Sequence, residues 1–469
     1  MLQVETVPAS LAGLLQVFRP CFTAPSFRMF VALLVGMVAQ PGRRTVCGML
    51  VGAGLARVWR HGRAHWFFSH ARWSVEQVGL ALVGLIVSGL LPEGVPVLLV
   101  VDDTLMRRSG RRVSGAAWQH DGARKGPKGS QVSWGTCFVV VGIVVDLPFI
   151  DRPVCLPVLA RLWRPKGVSK AVLACQMVSA IVTRLAAGSA TGSAAGSAAG
   201  APGRAVHVVA DAHYAGADGA PTRRELVGRG LPDGVSLTSR LRRNAVLKAI
   251  AAPVPGGRGG RGGRPRRIGA RLGTPTDLAR TLPWARQRVS RYGRRDTVDI
   301  TELVCLWYGT YRSRAVRVIL VREPGSTAKA GHDLALVTTD LDSPAAEIVA
   351  RYAARWSIEV AFEDARQHTG VGEARNRSTG AVERTVPFGL ITQSVVVVWY
   401  AHHGHSPQIA ADRRAAAPWY RTKTQPSYLD MIIKLRRTLI TAQFRAGSPR
   451  QPTPHETLEV QLAWAEAAA

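Results

Sequence analysis

Acidic residues are scarce in this chain: 31 Asp and Glu stand against 61 Lys and Arg, leaving a formal charge of +30 and an isoelectric point near 11.2. A surface that neutralises itself is excluded, and a polyanionic partner is implied. Cysteine is sparse too. Cys21, Cys47, Cys137, Cys155, Cys175 and Cys305 stand singly, with no C-x-x-C pair, which argues against a zinc ribbon or dithiol redox motif and fits a reducing cytoplasm. Long apolar runs are also missing. The longest windows, Met29–Val38 and Val78–Leu91, fall short of the roughly 20 residues that a spanning helix needs. No secretory signal is evident, so neither a membrane nor export is expected.

What remains is a chain of 469 residues with 47% hydrophobic content, enough for one large core and smaller units. Most of the positive charge is arginine, whose planar fork suits phosphates and base edges, so nucleic acid is the expected polyanion. The first ninety residues read as short apolar helices separated by Pro, Gly and basic clusters such as RHGRAHWFFSHARW. From Val95 the texture changes to β-branched runs, VPVLLVV and CFVVVGIVV, which is how strands buried on both faces look.

The run Ala186–Arg204 is Ala/Gly/Ser-rich and reads as a surface loop. Between Arg240 and Arg295 sixteen basic residues face a single acid, Asp277, and the block includes the segment GGRGGRGGRPRR, either a phosphate-contacting surface or a disordered basic insertion. Strand-like stretches follow, and a helix is expected to start at Pro344 after an N-cap at Ser343. Further helical windows cover Phe388–Tyr400 and Tyr428–Phe444. The expected organisation is a helical N-terminal DNA-binding domain (1–92), a first core segment (93–235), a basic β-rich insertion (236–332), a last core segment (333–400) and a helical C-terminal region (401–469). The fold class is α/β.

Two apolar strands run into acids, VPVLLVV into Asp102-Asp103-Thr104 and AVHVV into Asp211, and strand ends are where open α/β sheets hold their sites. Each aspartate alone could equally cap a turn. In YAARWSIEVAFEDAR, at 100° per residue, Tyr352, Arg355, Glu359 and Arg366 fall within about 60° of one helix face. Such a stripe is either a solvated surface with i,i+4 support or a carboxylate set between phosphate-binding cations. Three converging carboxylates could hold two divalent ions that activate a water and stabilise a leaving oxygen, and oxygen-only ligands favour Mg²⁺ or Mn²⁺.

The spacing Tyr352-x2-Arg355-x3-Glu359-x6-Arg366 resembles the Y-x2-R-x3-E-x6-K motif of one branch of the DDE transposases of bacterial insertion sequences, with arginine where that branch usually has lysine. VVDDT, VADAHY, HWFFSHARWS and PWYRTKTQPSYLDMIIKLRR look like the same family. The resemblance implies a ribonuclease H-like core interrupted by a β-rich insertion between Asp211 and Glu359. It also implies catalytic, metal-holding Asp103, Asp211 and Glu359, with Asp102 as the alternative first acid, and DNA-contacting Tyr352, Arg355 and Arg366. Two Mg²⁺ or Mn²⁺ ions, double-stranded DNA as terminal repeats and target, a homodimer at synapsis and a cytoplasmic, nucleoid-associated location complete the expectation. A non-catalytic DNA-binding protein and a plain nuclease are the competing classes.

Overall fold

The computed structural model describes residues 7–122, 131–192, 204–215, 231–232, 234–251, 267–417, 419–447 and 453–466. Most of the GGRGGRGGRPRR segment and residues 193–203 of the low-complexity run lie outside them.

Five helices come first: α1 (Ala9–Gln16), α2 (Ala24–Ala39), α3 (Val46–Gly52), α4 (His61–Ser69) and α5 (Val75–Leu90). Thr23, Thr45 and Ser74 cap α2, α3 and α5 by accepting from Ser26 N, Gly48 N and Gln77 N. Strands β1 (Val97–Arg107), β2 (Ala117–His120), β3 (Val132–Leu147) and β4 (Ile150–Trp163) then form antiparallel pairs. Helix α6 (Lys170–Gly192) runs on past Ala186, where a loop was expected, because its alanines sustain a helix. It leads to β5 (Val206–Ala210) and β6 (Val235–Arg240), parallel to β1 and to each other.

After β6 come β7 (Leu247–Ile250) and β8 (Ile268–Gly273), a separate two-stranded ribbon, and then α7 (Pro275–Thr281). β9 (Ala285–Arg291), β10 (Arg294–Cys305), the short α8 (Tyr308–Tyr311), β11 (Val316–Arg322) and β12 (Leu334–Thr338) follow. β12 pairs antiparallel with β6, so one sheet runs β3-β1-β5-β6-β12-β11-β10-β9, with β2 and β4 both paired to β3. The expected insertion is therefore partly an extension of the central sheet, and the boundary at 235/236 falls inside β6. Hydrogen bonding across Thr238 and Thr338 joins what the sequence texture separates.

Helices α9 (Ala345–Ala353), α10 (Trp356–His368), α11 (Thr379–Trp399), α12 (Gln408–Ala416), α13 (Tyr428–Gly447) and α14 (Pro454–Glu466) complete the chain. Pro344, not Ser343, occupies the N-cap of α9, since the Ser343 hydroxyl is spent on Asp340. Residues of α1–α6, α11 and α13 share one apolar core with the β1/β3/β5 face that carries Leu99, Val141 and Val208; α10 and part of α11 cover the other face. Two helices, Lys170–Ala187 and Thr379–Gly404, are long and apolar enough to cross a membrane, although 89% of the second window is buried inside the protein. Scattered Thr, Gln and Ser interrupt the apolar runs of both, so neither stands out as an unbroken apolar stretch.

Candidate active site

Successive side chains of a strand point to opposite faces, and this decides between the two adjacent aspartates. Along β1, Val97, Leu99 and Val101 enter the core shared with the N-terminal helices, whereas Val100 and Met106 face α10. Asp102 therefore faces α10 and Asp103 faces away. β5 is in parallel register, Val100 beside Val209 and Val101 beside Ala210. Val209 lies on the α10 face and Ala210 on the other. The next residue, Asp211, thus continues on the face of Asp102.

Helix α10 brings Glu359 to this face, in its first turn. The Arg355 guanidinium joins the two elements, with Nη1 donating to Asp102 Oδ2 at 3.0 Å and Nη2 to Glu359 Oε1 at 2.8 Å. Arg355 and Asp102 are mostly buried, and Glu359 is about one-third exposed. Burial raises the Asp102 pKa to about 7; Arg355 and the Asp103 N–H oppose the rise, and the charges of Asp211 and Asp103 add to it. On Arg355, burial is outweighed by Asp102, Tyr352 and Glu359, so its pKa is raised. Asp211 is fixed by its turn: its Oδ1 accepts from His213 N at 2.8 Å and its carbonyl from Ser239 Oγ at 2.9 Å.

Asp103, the expected first acid, belongs to a different cluster behind the sheet. Its Oδ2 accepts from Lys170 Nζ at 2.6 Å and from Cys137 Sγ at 3.3 Å, and its Oδ1 from the Tyr214 hydroxyl at 3.1 Å. Tyr214 is fully buried and closes the turn that begins at Asp211. Burial, then the charges of Asp103, Asp102 and Asp211, push its hydroxyl far above the usual phenol value. Strand alternation thus places Asp102, the alternative first acid, on the face of Asp211 and Glu359, and Asp103 on the opposite one. β1 also continues to Arg107 instead of ending at the acids, because β3 stays paired with it after β5 has stopped.

The expected single helical stripe is interrupted. The helix breaks between Ala353 and Trp356, so Tyr352 closes α9 and Arg355 caps α10. Tyr352 is buried in the α9 core, 6.0 Å beneath the Arg355 guanidinium, and Arg355 is engaged by carboxylates. Of the three expected DNA contacts, Arg366 is the most open; its Nη2 donates to the buried Thr104, two residues beyond Asp102 on the same face, and its Nη1 lies 3.9 Å from Glu363. Thr104, Lys170 and Tyr214 were not picked out from the sequence. Tyr214 stood in the VADAHY segment, whereas nothing marked Lys170.

Among the described residues, no three His, Cys, Asp or Glu side chains converge closely enough to hold a metal ion as they stand. The donor chemistry nevertheless suits a hard cation. Asp102, Asp211 and Glu359 offer only oxygens, and a single guanidinium bridges two of them.

A sheet with three antiparallel strands followed by two parallel ones, with Asp102 on its first core strand, Asp211 just past its fourth and Glu359 on a covering helix, defines a ribonuclease H-like nuclease core. The chain belongs to the DDE superfamily endonucleases, whose family model matches residues 17–302. That span includes Asp102, Asp103 and Asp211 and ends in β10, before Glu359. No curated protein is similar enough to the chain to register as a match. Endonucleases of this superfamily typically use divalent metals.

Proposed function

We propose that the chain is a transposase that nicks DNA at the ends of a mobile element and joins the released 3′-OH to target DNA, with Asp102, Asp211 and Glu359 as the acidic triad. The observation that supports this reading is the common face of Asp102 and Asp211, with Glu359 tied to Asp102 through Arg355. These three carboxylates would hold two Mg²⁺ or Mn²⁺ ions, which when bound activate water and stabilise the leaving oxygen of a phosphodiester.

The chain's own residues orient the DNA. Arg355, once released from its two carboxylates, is placed to take a phosphate beside Glu359, while Tyr352 supports its guanidinium from below. Arg366 holds the next stretch of backbone over Thr104. Double-stranded DNA is the partner, as terminal repeats and as target, with a homodimer pairing the two ends in the bacterial cytoplasm.

The test is Mg²⁺-dependent cleavage of labelled DNA carrying the element's terminal repeat, followed by transfer into a second DNA. Nicking at the repeat boundary, lost in Asp211→Ala and Glu359→Ala while binding persists, supports the reading. Cleavage without strand transfer would make the protein a plain nuclease, and binding without cleavage in the wild type would make it a non-catalytic DNA-binding protein.

A further inference from the structure

A groove of about 450 Å³ opens between the N-terminal helices and the loop that joins α10 to α11. Thr45 and Cys47 of α3, His65 and Ser69 of α4, and Arg375 and Arg377 of the loop line it, and no carboxylate does. Both arginines are exposed. The walls are held rigidly. Asn376 Nδ2 donates to the Ala381 carbonyl at 3.3 Å and to Thr385, fastening the loop to α11. Arg384 donates to the carbonyls of Phe68 and Trp73, clamping the end of α4 onto α11. A Cβ at Gly380 would stand 2.8 Å from the Ser69 carbonyl, so the two helices meet there in close contact.

The groove lies along the path of β1 away from the acids. Arg366 reaches Thr104; beyond the strand, Arg108 donates to the Ala374 carbonyl, and Arg375 Nη1 lies 3.4 Å from Ser109 Oγ. Arg108 has no carboxylate partner among the described residues. Burial and the neighbouring Arg375 lower its pKa to about 10. Cations gathered without counter-charge are a favourable seat for a polyanion. Six residues separate Asp102 from Arg108, roughly 20 Å of strand, or about six base pairs of duplex.

We propose that this groove is a second DNA-backbone site, in which Arg375 and Arg377 hold duplex phosphates about six or more base pairs from the scissile bond and the N-terminal helices form the opposite wall. The proposal rests on DNA being the substrate. The backbone fits the groove better than a base does, because the lining is mostly cations and hydroxyls, with His65 as its single ring.

The first measurement is the salt dependence of binding to a 30-base-pair duplex of arbitrary sequence, comparing wild type with Arg375→Ala/Arg377→Ala. The slope of log affinity against log salt should fall by about 2 in the double variant. An equal slope overturns the groove. Cys47 supplies an independent readout on the unaltered chain, since it is the exposed thiol among the six. Bound duplex should slow its maleimide labelling at least about fivefold at low salt, with protection lost as salt releases the DNA. Undiminished labelling while DNA is bound overturns the groove and leaves the catalytic reading intact. Failure of the wild type to bind any duplex would overturn both.

Discussion

Asp102 and Asp103 are neighbours in the chain and project to opposite faces of a sheet, so equal chemistry carries different consequences. Asp102 shares its face with Asp211 and Glu359, and Asp102→Asn is expected to reduce nicking to background in a single-turnover assay. Asp103 accepts from Lys170 and from Tyr214, which closes the Asp211 turn. On the proposed assignment it is a positioning residue, and Asp103→Asn should lower the rate roughly 10–100-fold and raise the Mg²⁺ concentration needed for half-maximal rate. Loss of all cleavage in Asp103→Asn, with full activity in Asp102→Asn, would reverse the assignment. The spacing to Tyr352 and Arg355 singles out Glu359 as a candidate acid. Which of Asp102 and Asp103 shares its face is not legible in the sequence, because an apolar run preceding Asp-Asp does not say which parity faces the helix.

At the level of elements, the turn between β12 and α9 anchors α9, the helix that leads into the Glu359 helix. Asp340 accepts from Ser343 N and Oγ, from Asp342 N and from Arg351 Nη1 at 2.7 Å. Burial pushes its carboxyl up, but these hydrogen bonds outweigh it and hold the group well below the usual carboxylate range. Both side chains of the Asp340–Arg351 pair are largely buried. Asp340→Ala should therefore destabilise the protein by about 3–5 kcal/mol, as expected when a buried pair loses one member, which a urea titration would read. The sign of the pH effect follows: with its folded pKa depressed, Asp340 contributes stability above its unfolded value near 4, and that contribution fades as pH falls toward the folded value. The break after α9 explains why a continuous stripe was a poor guide. Tyr352 ends one helix and Arg355 begins the next, so periodicity drawn through both predicted four residues on one open face where the fold buries two.

Across the whole molecule, part of the arginine excess goes into internal contacts. Arg44, Arg384 and Arg436 donate to main-chain carbonyls of Gln367, Phe68 and Val38, tying distant segments together from inside. His368 sits in that setting; burial, with Arg44 and Arg436 nearby, lowers its pKa to about 4. Its unfolded value is near 6.5, so the unfolded chain takes up the proton first and stability should decline as pH falls from about 6.5 to 4. His368→Gln should flatten that part of a stability-against-pH curve, and an unchanged curve would show that other groups dominate. The N-terminal helices share the core of the sheet, with Phe30, Phe67 and Phe68 all packed against Phe388 of α11. A chain lacking residues 1–92 is therefore expected to aggregate on expression, and a soluble, cooperatively melting fragment would mark those helices as a separate unit.

Composition and local pattern determined what could be read one residue or one element at a time: the strong net positive charge, the buried strands from β-branched runs, the helical ends from apolar windows, and Asp211 and Glu359 as candidate acids from their settings. The tertiary structure alone decided that Asp102 lies on the face of Glu359, that Arg355 bridges them, that β9–β12 extend the central sheet, and that Cys47 and His65 share a groove with Arg375 and Arg377. Those outcomes depend on strand register and on contacts between residues tens to hundreds of positions apart. Periodicity along the chain describes a surface before anything is packed against it, and which side becomes core, site or groove is settled by the partner that arrives.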